Sequence, residues 1–108
     1  MTWDNPISTL RITAAALAEA RETAGVFEDR RVGLGARFGA RLSDTLQLIA
    51  EHPGSYERVN DRYRRAFLKH FPFVVVYRTE RGGVEVVGVL PTRADPTVMA
   101  VLTGAHVE

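Results

Sequence analysis

Five consecutive residues, Phe73 to Tyr77 (FVVVY), constrain this chain more than any other stretch. The run is apolar and unbroken, too short for a helix, and built from β-branched and aromatic side chains that suit a buried pleated surface. It predicts a central strand. Arg81-Gly82-Gly83 follows, a turn in which glycine takes positive φ at no steric cost. Val84 to Leu90 (VEVVGVL) predicts the returning strand. Upstream, Tyr63 to His70 predicts a further strand. Pro72 has no amide to give to a ladder, so it separates that strand from the next. Three strands in succession make a meander that can bury one face and leave the other to a partner.

The meander region also concentrates positive charge, with six of the chain's 14 lysines and arginines. Between Asp61 and Arg81 stand Arg62, Arg64, Arg65, Lys69, Arg78 and Arg81, against only Asp61 and Glu80, although the net charge of the chain is +1. A basic sheet implies an acidic partner, whether peptide, protein or nucleic acid. The plainer reading is that alternate strand positions face water and are polar for that reason. Arg65 would then pair with a helix carboxylate. Nearly all the cations are arginine, whose planar fork forms bidentate pairs with carboxylate and phosphate.

The segments before the meander predict helices. Ser8 to Thr13 alternates polar and apolar, a short strand expected at the sheet edge. Thr13 is placed to cap a helix running to about Arg31, with Leu17, Ala20, Ala24, Phe27 and Arg31 as its narrow stripe. Glu19, Glu22, Glu28 and Asp29 fall on its solvated face. Gly33 suits a left-handed helix end. A second helix spans about Leu34 to His52, with Leu34, Phe38, Leu42, Thr45 and Ile49 inward and Leu46 and Leu48 flanking; Pro53-Gly54 stops it. So short a link implies an antiparallel helical hairpin. Ser55 to Asn60 reads as a polar loop, Trp3 as a pin for the lead-in, and Thr97 to Leu102 as one or two helical turns.

At 108 residues the chain has room for one domain, residues 1–108. No apolar run approaches the roughly 20 residues of a membrane span, so no membrane partner is expected. The first residues lack the basic and apolar regions of a secretory signal. With no cysteine there is neither disulfide nor thiolate metal site, and the cytoplasm is the expected compartment. His52, His70 and His106 lack ligand spacing, so no metal and no cofactor is expected. GLGARFG is not a dinucleotide loop, because Phe38 replaces the third glycine and a helix precedes it. Ser8, Ser43 and Ser55 have no nucleophile-elbow context.

The series ALAEA, GLGARF, a proline ending the second helix, YRRAFLKHFPFVVVY, VVGVL and TRADP resembles the RelE/ParE toxins of type II toxin–antitoxin systems, and within them the ParE branch. The resemblance covers about Leu10 to Pro96. It implies an α+β fold: an N-terminal strand and a two-helix antiparallel hairpin packed on a three- to four-stranded antiparallel sheet. It implies a cognate antitoxin whose flexible segment lies in a groove, a possible hetero-oligomer, and one of two targets. ParE-like members poison DNA gyrase by binding; RelE-like members cut mRNA on the ribosome. The nuclease branch carries an arginine where this chain has Val74 and a tyrosine near Met99. Arg93 matches its arginine after the last strand, and Lys69 approximates a basic position. No catalytic residue is assigned, and a gyrase-binding poison is the first expectation, an mRNA endoribonuclease the second. Pro91 and Ala94 stand where histidine and a second arginine are frequent, which leaves open a module that binds antitoxin without toxicity. The expected target- or antitoxin-binding residues are Arg64, Arg65, Lys69, Arg78 and Arg93.

Overall fold

The computed structural model describes residues 9–94. The readings made for Trp3, Met99 and residues 97–102 fall outside them. The elements run β1 (Thr9–Ile12), α1 (Ala14–Arg30), α2 (Leu34–Glu51), β2 (Glu57–Arg58), β3 (Tyr63–Phe67), β4 (Phe73–Glu80) and β5 (Gly83–Pro91). One five-stranded sheet has the order β1-β5-β4-β3-β2. The α+β class and the strand–hairpin–meander order are as expected, but the sheet is larger and mixed. β1 joins β5 in parallel, Thr9 opposite Gly83 and Ile12 opposite Val86. β2, two residues of the expected polar loop, pairs with β3.

The helices form where their ends are satisfied. Thr13 Oγ1 accepts from the Ala16 amide at 3.1 Å, as a capping hydroxyl should. Between the helices, Gly33 has φ +90° and caps the start of α2 rather than the end of α1. Its lack of a side chain leaves that helix start to a residue of α1. Glu28 accepts from the Gly33 amide at 2.9 Å and from the Gly35 amide at 3.0 Å. Gly35 is required by close approach: a Cβ there would lie 2.5 Å from the Ala24 carbonyl oxygen on α1. The GLG element is thus a helix-crossing device.

The core sits between the hairpin and one face of the sheet. α2 buries Phe38, Leu42, Thr45 and Ile49 as its spacing predicts, and the Thr45 hydroxyl donates to the Arg41 carbonyl at 3.0 Å. On α1 the buried positions are Ala16 and Ala20, with Ala24 and Phe27 packed beside them. Ala20, Ala24 and Phe27 thus face the core as expected, Ala16 is buried where Leu17 was expected, and Arg31 is an exposed cap. Phe27, Phe38, Phe71 and Phe73 lock the hairpin to one end of the sheet, with ring centroids 5.1–5.8 Å apart, mostly edge to face.

The continuous apolar run in β4 is explained by burial on both faces. Val75 and Tyr77 meet the helices; Val74 and Val76 join Tyr63 and Leu90 in a second cluster. The second face, which the meander could have left to a partner, is therefore partly closed by the chain's own side chains. A register shift at Val76/Tyr77 puts an extra residue in β5, so that Val84, Val86 and then Val89 face the helices. It also decides the role of Glu19. β1 ends where the Thr13 amide donates to the Val86 carbonyl, and the Val89 amide would otherwise lack a partner on that side. Glu19 Oε1 accepts from it at 3.0 Å. Glu19 and Glu28 are therefore structural acceptors rather than members of a merely solvated face.

The turn after β4 also differs in detail. Glu80 pairs with Gly83, and the two residues between them, Arg81 (φ +51°) and Gly82 (φ +78°), both take left-handed backbone. That is the type I′ hairpin, whose twist matches its strands. Gly83 begins β5, where a Cβ would come to 3.2 Å from the Thr9 carbonyl.

Candidate interaction surface

The five expected site residues do not converge. Tyr63 lies opposite Arg78 and Arg64 opposite Tyr77, so Arg64 and Arg78 belong to the end of the sheet where β3 starts. Lys69 lies past the other end of β3. Arg93 follows Thr92, whose amide donates to the Pro72 carbonyl at 2.8 Å, so Arg93 shares the Lys69 end. Five residues of strand separate Arg64 from Lys69, roughly 17 Å at a strand's rise per residue.

Three of the five arginines and lysines are already engaged. Arg65 forms a bidentate pair with Glu57 of β2, 3.1 and 3.2 Å, and its guanidinium lies over the Phe67 ring. The hydrogen bond from Arg65, reinforced by its charge, holds the Glu57 carboxyl below its usual range. The partner is a strand carboxylate rather than the helix carboxylate considered from sequence. Arg78 meets Glu85 at 2.8 Å and Glu80 at 3.0 Å, and the Glu85 hydrogen bond raises its pKa against the opposing effect of burial. Arg64 donates to the Tyr56 carbonyl at 2.7 Å. Among the described residues, Lys69 and Arg93 have no ion-pair partner.

Beside Arg64, Tyr77 is fully buried and its hydroxyl donates to the Pro53 carbonyl at 2.6 Å. Burial pushes its pKa up to about 12, partly countered by the charge of Arg64. This bond ties the end of α2 to the central strand. Tyr63 is also buried. Both are framework aromatics, as their strand positions predict.

One hollow, about 560 Å³, opens between α2 and the free side of β3 beyond the short β2. Leu48 and Phe67 form its apolar ledge and are 47% and 51% exposed; what sets them apart is that two large apolar side chains share one hollow. Arg41 and Lys69 supply cations, Asp44 and Glu51 carboxylates, and Tyr56 a hydroxyl. Sequence reading found Lys69 but missed the rest. The available signal was Leu48, one position off the inward stripe, and Phe67, a large apolar residue alternating with the buried side of β3. Val74, standing where the nuclease branch carries arginine, is buried in the second cluster. A second hollow of about 390 Å³ lies at the Arg64 end, lined by arginines and two carboxylates.

The family described as ParE toxin of type II toxin–antitoxin system, parDE, matches residues 10–96. A solved structure titled as the chromosomal ParDE TA system from P. aeruginosa superposes with a TM-score of 0.71 at 11% identity, over 81% of this chain and 98% of that one. At that identity the likeness concerns the fold. Comparison with curated proteins gives no match.

Proposed function

Since this chain belongs to the ParE toxin family of type II toxin–antitoxin systems, we propose that it is a growth-arresting toxin that works by binding. On this reading its target is DNA gyrase, its compartment the cytoplasm, and its silencer a cognate antitoxin. The observation that carries this is the groove between α2 and β3, an exposed apolar ledge of Leu48 and Phe67 flanked by Arg41 and Lys69. Such a ledge suits an amphipathic segment that orders on binding, its apolar side chains buried, its carboxylates meeting Arg41 and Lys69 and its cations meeting Asp44 and Glu51. Arg65 serves mainly to tie β2 to β3 and Arg78 to tie β4 to β5; Lys69 remains a contact in this groove.

Expression without antitoxin is expected to arrest growth with DNA damage, and the purified chain to inhibit gyrase supercoiling. Unimpaired growth and unaffected gyrase refute the poison. Leu48→Glu combined with Phe67→Ser is expected to weaken antitoxin binding without unfolding the chain; unchanged affinity refutes the groove.

A second reading, ribosome-dependent mRNA cleavage, draws on Lys69, Tyr56 and Glu51 sharing one hollow, groups able to hold phosphate and move a proton. It is disfavoured by Val74 and by Arg93, which does not line that hollow. In-frame cuts in mRNA after induction would establish it in place of the first.

A further inference from the structure

The sheet matches its charges across neighbouring strands with one exception. Among the described residues, Arg11 lies opposite Glu85, Arg78 opposite Glu85 and Glu57 opposite Arg65. Arg58 lies directly opposite Arg64. Like charges in that relation destabilise a ladder. Neither arginine is relieved by a described carboxylate: Arg64 donates to the Tyr56 carbonyl at 2.7 Å and Arg58 to the Asp61 carbonyl at 3.1 Å. Carbonyls fix the two forks without cancelling their charge, and one bond leaves most of each guanidinium's donors unspent.

Both forks line the second hollow, together with Arg62, Arg78 and the Thr79 hydroxyl. Four arginines against Asp61 and Glu80 leave the lining at net +2, and since Glu85 outside the lining already pairs with Arg78, the uncompensated charge lies on Arg58, Arg62 and Arg64. We propose that this hollow is a phosphate site, taking one phosphomonoester group between Arg58, Arg62 and Arg64. A phosphomonoester carries about −1.5 to −2 at neutral pH with three acceptor oxygens, which complements that charge and those donors. The lining has no large apolar side chain to anchor a peptide. Asp61 and Glu80 in the same lining limit how much negative charge the hollow accepts, so a single terminal group fits better than a tracked backbone. The site lies at the opposite end of β3 from the α2 groove and is independent of the toxin reading.

The test is calorimetric titration of the full-length chain with adenosine monophosphate, inorganic phosphate, and one oligonucleotide with and without a terminal phosphate. Binding of the monophosphate and of the phosphorylated strand, with the unphosphorylated strand much weaker, is expected. Equal affinity for monophosphate and phosphorylated strand identifies a free nucleotide as sufficient; stronger binding of the strand identifies a nucleic-acid end. Arg58→Gln with Arg62→Gln is expected to weaken binding by at least ~10-fold, the loss of charged hydrogen bonds. Arg65→Gln is expected to leave it unchanged. Affinity is expected to fall below about pH 6 as the monoester protonates. No binding at millimolar ligand, equal binding by the double variant with an unchanged melting curve, or indifference to the terminal phosphate overturns the proposal.

Discussion

Replacing Glu28 by alanine is expected to destabilise the fold through a helix that Glu28 does not belong to. α2 begins at Gly33, which has no side chain to cap it, and has no acidic residue in its first turn. The Glu28 carboxylate supplies both functions from α1, accepting two of the free amides. Loss of a capping acceptor costs about 0.5–2 kcal/mol, and a negative charge at a helix start contributes about 0.3–1 kcal/mol. The Gly33 bond is exposed and water replaces it in part, while alanine adds a few tenths of a kcal/mol of helix propensity. The net expectation is a loss of about 1–2 kcal/mol, or roughly 4–12 °C in Tm for a domain this small. Glu28→Gln, which keeps an oxygen acceptor but not the charge, should fall between. Glu22→Ala on the exposed face of α1 is the control and should stay within about 0.5 kcal/mol of the parent. Urea unfolding followed by circular dichroism measures all three, with the midpoint shifting at constant m. If Glu28→Ala and Glu22→Ala unfold at the same denaturant concentration, the cross-helix cap contributes nothing.

Three further outcomes are expected. Tyr77 titrates near 12 folded against 10 unfolded, so its stabilisation is complete below pH 10 and is lost as pH rises toward 12, up to roughly 2.7 kcal/mol. Alkaline unfolding monitored by phenolate absorbance should lose that steep limb in Tyr77→Phe, and persistence of the limb refutes the assignment. Glu57, with its pKa depressed by Arg65, stabilises the fold above the ordinary carboxylate pKa and stops doing so as pH falls through its folded value. Acid unfolding of Glu57→Gln should show a shallower pH dependence in that window; superposable curves refute the pair. Arg81 holds left-handed backbone at a type I′ position, so Arg81→Asn should stabilise by about 0.5–1 kcal/mol, read as a higher melting temperature. A lower one refutes the turn assignment.

Local signals made much of this fold legible. The spacing of Phe38, Leu42, Thr45 and Ile49 defined the inner face of α2, and the β-branched run 73–77 defined the central strand. What stayed hidden was non-local. Nothing in Thr9–Ile12 reveals a parallel partner at Gly83–Val86, and nothing in Glu57–Arg58 marks two residues as a strand until β3 lies beside them. The pairing of the strand charges stayed hidden for the same cause. Arg65 and Arg78 read as available cations along the chain, but the register sets Glu57 and Glu85 against them. The groove escaped because it forms where β2 stops short, leaving Leu48 and Phe67 uncovered.

The pairing of β1 with β5 orders events in time as well as in space. Synthesis delivers Thr9–Ile12 early, yet among the described residues their only strand partner is Gly83–Val86, and Val89 closes on Glu19 from 70 positions away. A nascent chain on the ribosome holds its first strand unpaired until the last hairpin has emerged. Products terminated before β5 have no means of closing the sheet, so a premature stop yields an unfolded fragment rather than a partly active protein.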